Sequence, residues 1–148
     1  MKDRYLCKAR PLGTRKQWVT GFYAVLGEKT VIIVNEPEKF YDVDSGKNSH
    51  GNKIVEVIPK TVCQCTGLQG KNGNLIWEND IVNGSIKRGV AFYRCLVLWN
   101  ECKARFEVRA MDCNFPITLD ECTDDISMSG FDYEVVGNIF DNPELLEV

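Results

Sequence analysis

Seven cysteines, two closely spaced carboxylates and a single histidine are the side chains of this 148-residue chain best suited to chemistry. Cys63 and Cys65 stand two apart, so on a strand both thiols share one face. With Cys113 and Cys122 they would complete a four-sulfur zinc site. Zinc knuckles, however, space their paired cysteines by two to four residues. Neither Cys95 to Cys102 nor Cys113 to Cys122 supplies a second such pair. The expectation is therefore no metal, with the thiols packed as small hydrophobes. The odd count, with Cys7 as the seventh, also argues against a disulfide framework in a chain without a secretion signal.

Glu78 and Asp80 are spaced as an acid–base pair could be. They follow a turn, where Asp commonly accepts hydrogen bonds from nearby backbone donors. His50 has no second histidine to work with, so neither a histidine metal site nor a Cys–His nucleophile is expected. No phosphate-binding or dinucleotide-binding glycine pattern is present. No catalytic residue and no cofactor is expected.

Binding has more support than catalysis. Residues 1–30 contain Lys2, Arg4, Lys8, Arg10, Arg15, Lys16 and Lys29 against Asp3 and Glu28, with Tyr5, Trp18, Phe22 and Tyr23 among them. Cations interleaved with aromatics are what a single-strand-binding surface uses. Further along, Lys103, Arg105 and Arg109 alternate with Ala104, Phe106, Val108 and Ala110. That pattern predicts a strand with one dry face and one wet, basic face. Lys8, Arg10, Arg15, Lys16, Lys103, Arg105 and Arg109 are the candidate nucleic-acid contacts. Against them, the whole chain carries a net charge of −3. The nine acids between Asp120 and Val148 leave +6 on the other 119 residues.

The elements that would hold these residues read as strands. Gln17–Leu26 and Lys29–Asn35 are aromatic and β-branched runs separated by Gly27-Glu28. Gly21 inside the first suggests a bulge or a close backbone approach. Glu36 to Asn52 reads as a long polar loop with a short extended piece at Phe40–Val43. Lys53–Ile58 and Thr61–Thr66 follow as strands. Asn72-Gly73 predicts a hairpin with a tight primed turn. Val90–Trp99 is apolar on both faces and reads as a central strand, with Asn100-Glu101 closing the next hairpin. Asp112 to Gly130 reads as irregular. Tyr133–Phe140 is a last strand. Asn142-Pro143-Glu144 suits a short C-terminal helix, with Asn as cap and Pro at its first position.

The class expected is mainly β: a small antiparallel barrel or sandwich, an SH3-like barrel being one form of it, with hairpin additions, a long loop and a short C-terminal helix. One domain is the simplest organisation, with an N-terminal β subdomain over about residues 1–60 and a C-terminal barrel over about 61–148. A chain of this length buries roughly 68–70% of its unfolded surface and needs no metal or disulfide for stability. No apolar run approaches the roughly 20 residues of a membrane-spanning helix. The expected location is cytoplasmic, with no membrane partner.

Three segments also resemble one family. Trp18-Val19-Thr20-Gly21-Phe22-Tyr23 resembles the W-V-x-G-aromatic-aromatic segment of YopX-family phage and prophage proteins. Val62 to Val82 is similar to their V-x-Q-Y-T-G-L-x-D-K-N-G-K-x-I-Y-E-G-D-I-V block. Val135 to Leu146 is similar to their V-I-G-N-I-Y-D-N-P-E-L-L ending. Cys65 stands where the family usually has an aromatic, Gly70 where it has Asp, and Asn79 where it has Gly. Asn tolerates the left-handed conformation, so the turn at Asn79 should persist. The resemblance implies a β-rich phage or prophage protein working in a bacterial host cell, without catalytic or metal residues to carry over. The expected action is non-enzymatic: self-association and contact with a host or phage protein, with single-stranded nucleic acid as the alternative. Exposed strand edges favour such association. Gly21, Gly67, Asn72, Gly73, Gly137, Asn138 and Pro143 are expected to shape turns and bulges, and Asp80 to serve local backbone. Trp18, Phe22, Trp77 and Ile81 are expected in the core, and Leu145 and Leu146 as an anchor for the tail.

Overall fold

The computed structural model describes residues 2–13, 17–42, 47–86, 92–111, 116–118 and 131–147. The chain is mainly β, and the described residues form two antiparallel sheets and three short 3₁₀ turns at Lys2–Tyr5, Pro59–Thr61 and Pro143–Leu146. It divides into two compact units, Lys2–Gln64 and Cys65–Val148.

The first unit holds β1 (Cys7–Ala9), β2 (Val19–Leu26), β3 (Lys29–Asp42) and β4 (Lys47–Glu56). Their order is β4-β3-β2-β1, and Cys63 and Gln64, at the start of β5 (Cys63–Gln69), pair with β1. β2 and β3 turn about Gly27-Glu28, where Gly27 has φ +62°. Only glycine adopts that geometry without steric cost. Ala9, Ile32 and Val57 form the buried core, lined by Cys7, Val19, Val55 and Val62. Gly21 marks a close backbone approach, because a Cβ there would run into the Ile33 carbonyl.

The segment expected as a long loop is instead largely paired. Pro37 to Asp42 ladders with Lys47 to Asn52 beyond an irregularity between Ile33 and Pro37. Backbone pairing needs no apolar side chains, so a polar stretch with Gly and Pro can still form a ribbon where its partner strand is held in register.

The second unit holds the rest of β5, then β6 (Leu75–Trp77), β7 (Asp80–Ile86), β8 (Phe92–Asn100), β9 (Arg105–Ala110), β10 (Pro116–Thr118) and β11 (Phe131–Asn138). Five of them form a sheet in the order β10-β9-β8-β7-β11, with β8 at its centre. β10 lies inside the stretch expected to be irregular and pairs with β9. Val135 pairs with Val82, Val82 with Cys95 and Cys95 with Ala110, one apolar row across four strands, and the Val97–Val108 pair lies beside it on the same face. Ile76, Phe106, Ala110 and Tyr133 complete that core. Each fully buried Val or Ile contributes on the order of 1.5–3 kcal/mol. Among the described residues neither sheet closes, so the barrel alternative gives way to open sheets. Closure would need the edge strands to pair with each other.

The turn from β5 to β6 differs in kind from the expected primed pair. Gly73 N–H donates to Gly70 O (2.9 Å), Gly70 N–H donates to Asn74 O (2.8 Å), and only Gly73 has positive φ, at +81°. Lys71, Asn72 and Gly73 thus make a three-residue connection with the glycine in the left-handed position. Asn72 keeps an ordinary φ.

Candidate functional site

The two closely spaced carboxylates, Glu78 and Asp80, lie at a turn. Asp80 is buried, and its Oδ2 accepts the Trp77 N–H (2.8 Å) across the β6–β7 turn. Between them Asn79 takes φ +66°, the left-handed geometry expected of it. Its N–H donates to Val97 O (2.9 Å) and its carbonyl accepts from Ile139 N–H (3.1 Å). The turn is therefore tied to β8 and to the end of β11, with Glu78 half-buried between Trp77 and Asn79. Thr66 Oγ1 donates to Ile76 O (2.8 Å) and accepts from Leu68 N–H (3.1 Å), beside Gly67 at φ +81°.

Gly137 and Asn138 shape the C-terminal turn. Asn138 Oδ1 accepts from Phe140 and Asp141 N–H (both 3.0 Å), and its Nδ2 donates to Asp141 Oδ2 (2.8 Å). The Asn142 side chain fills the space where a Cβ on Gly137 would stand. Pro143 opens the 3₁₀ turn, but the Asn142 side chain makes no cap bond to it. That side chain bonds Asn138 N–H instead (3.4 Å). Of the two leucines expected to anchor the tail, Leu145 is half-buried and Leu146 is exposed.

Cys63, Cys65 and Cys95 are buried thiols, Cys7 is half-buried, and Cys102 is exposed in the β8–β9 turn. Among the described residues no three His, Cys, Asp or Glu side chains cluster as metal ligands. Cys113 and Cys122 lie outside the described residues.

The basic strand face is not the wet, cationic surface that its alternation predicts. Ala104 belongs to the turn, at φ +50°, rather than to the strand. Glu107 is buried on the face expected to be wet. Its carboxylate accepts Asn100 Nδ2 (3.0 Å) and Arg105 Nε (3.1 Å) and pairs with Lys103 Nζ (3.3 Å). The Asn100 bond does most to hold this carboxyl below the usual carboxylate range. Desolvation opposes it, and Arg105 and Lys103 reinforce it. Two expected nucleic-acid contacts therefore serve an internal acid, and Arg109 alone of the three makes no contact with it among the bonds above. Lys8 and Arg10 both lie over the Trp18 ring, each 5.2 Å from its centroid. Trp18 and Trp77 are half-buried and Ile81 is fully buried. Arg15 and Lys16 lie outside the described residues.

The most prominent surface feature was not anticipated. Phe22, expected in the core, is 42% exposed, and its neighbours on the β2–β3–β4 ladder are as open: Tyr23 50%, Val25 55%, Leu26 50% and Ile54 55%. Register puts Phe22 beside Ile33 and Ile54 on one face, with Leu26 along the same face. Tyr23 and Val25 face the opposite way. The hairpin tip is thus apolar on both sides. An F-Y-A-V-L run with no polar alternation carries that signal, but it reads equally as a central buried strand. What makes it a surface is the turn at Gly27 directly after it.

The two units differ in charge. The first has eleven Lys and Arg against seven Asp and Glu, a net of +4; the second has seven against fourteen, a net of −7. No helix among the described residues is long and apolar enough to cross a membrane. A family model described as YopX protein matches residues 25–147. Comparison with curated proteins gives no match.

Proposed function

The chain belongs to the YopX family, and from that premise we propose that it acts without catalysis, by binding protein surfaces, those of its own copies included. The single observation that carries this reading is the two-sided apolar tip of the β2–β3 hairpin. Contiguous exposed apolar side chains mark contact sites on soluble proteins. A face that merely rests on a partner needs one apolar side; a tip with two fits a groove. Burying Val25, Leu26 and Ile54 would each contribute on the order of 1.5–3 kcal/mol at full burial. Lys29, the cation of the tip, is paired with Glu56, which leaves a phosphate little to bind there and favours protein over nucleic acid as the partner. Phage or prophage origin and action in the bacterial cytoplasm belong to the same proposal and rest on the family resemblance.

Sedimentation velocity over a concentration series tests it, with wild type beside Val25→Asp/Leu26→Asp. The expected result is association by wild type and its loss in the variant, with thermal melting unchanged. Wild type that stays monomeric throughout, and that retains no bacterial protein at the tip, would sink the reading.

A further inference from the structure

Among the described residues the first sheet ends on β4, a strand of 10 residues that ladders with β3 on its inner side. Two bonds show which of its main-chain groups point outward. Val57 N–H donates inward to Thr30 O (2.9 Å), while Glu56 O accepts from Leu12 N–H (3.0 Å) on the other side. Successive residues of a strand turn their backbone groups to alternate edges. Asn48, His50, Asn52 and Ile54 therefore present theirs outward, as Glu56 does. Pro37 fits this alternation, since it stands opposite Asn52 and has no N–H to give. The Pro11–Val57 bridge and the Leu12 bond close the edge at Glu56, which leaves Lys47 to Val55 open. An open edge is a template for a further strand.

We propose that this edge pairs with the same edge of a second copy, antiparallel about a two-fold axis at Gly51. The inference rests on the self-contact in the reading above and adds a second surface to it. Antiparallel strands bond only where outward-pointing residues face each other. An axis at Gly51 meets that condition. Asn48 then faces Ile54 of the second copy, His50 faces its Asn52, and symmetry repeats both pairs. An axis between two residues would set outward groups against inward ones. An axis at Asn52 would set Asn48 against Glu56, whose carbonyl is already taken. At the axis itself the two strands make a non-hydrogen-bonded pair, where Cα atoms come closest, about 4.5 Å apart. Glycine stands at that point, with no side chain to hold the strands apart. No charge lies directly opposite its like: Lys47 faces Val55 and Lys53 faces Ser49. An isologous contact needs a surface that complements itself across an axis. Here the open stretch, its outward residues and its glycine share one midpoint. Each copy carries both the edge and the tip, so the two contacts reinforce each other in one assembly.

Two variants of the full chain test the pairing. Asn52→Pro removes an outward N–H and leaves the inward ladder to β3 whole, as proline on a strand edge does. It should weaken association in sedimentation velocity by about tenfold or more, with thermal melting kept. Gly51→Cys places a thiol at the axis, where the Cα separation of about 4.5 Å lies within disulfide range. Mild oxidation should join the two introduced thiols, a bond that peptide mapping by mass spectrometry separates from those of the native cysteines. If wild type associates while folded Asn52→Pro does so equally well, or while the introduced thiols fail to join, the edge pairing is wrong and the self-contact through the tip stands. If wild type stays monomeric at every concentration, the pairing and the self-contact fall together.

Discussion

Glu107 shows how one side chain changes the meaning of its neighbours. Read along the strand it belongs to a solvated basic stripe; in the fold it is a buried acid that engages Asn100, Lys103 and Arg105. Its lowered titration has a defined sign. The unfolded chain takes up a proton near the ordinary Glu value of about 4.3, while the folded chain resists protonation. The stabilisation is therefore complete above that value and is lost as pH falls through the lower folded one. The stability gap between wild type and Glu107→Gln, measured by urea unfolding, should hold steady at neutral pH and close below about pH 4. A gap that stays constant down to about pH 3 would contradict this assignment. Asp80 illustrates the same lesson at a turn. A carboxylate two residues from Glu78 resembles half of an acid–base pair, yet it accepts a backbone N–H from inside the protein.

At the scale of elements, turns fix the architecture more than strand composition does. The C-terminal turn packs Asn142 against the one position in β11 where no Cβ can stand. Gly137→Ala should cost about 1–3 kcal/mol, as overpacking of a well-filled site does. Adding Asn142→Ala to it should cost less than the sum of the two single changes, since the clash is then gone. Chemical denaturation of the four proteins in this cycle checks both; strict additivity would show that the Asn142 side chain does not fill that space. Element positions were legible where the sequence has periodicity or a glycine turn: β2, the start of β3, β8 and β11 all lie where their residues predict. The Pro37–Asn52 ribbon and β10 were not legible. They are held by main-chain ladders to neighbouring strands, and a ladder leaves no side-chain pattern to read.

For the molecule as a whole, the division of charge and of apolar surface matters most. The basic unit also carries the exposed hairpin tip, and the cations of the acidic unit are partly drawn inward to Glu107. Single-stranded DNA should consequently bind weakly. A gel shift with an oligothymidine is expected to give no complex at physiological salt. A shift that strengthens steeply as salt is lowered, and that Lys8→Ala/Arg10→Ala removes, would return the N-terminal cations to a nucleic-acid role. The sequence by itself determined the class, the family and most of the turn residues. Glycine φ requirements, Asn tolerance of left-handed backbone and β-branched runs are local properties, readable from neighbours a few residues apart. Only the tertiary structure decided which faces are wet. Exposure depends on strands far apart in sequence coming into register, and on that basis Phe22 moved outward, Glu107 moved inward, and the hairpin tip, not the basic strand, became the surface to test.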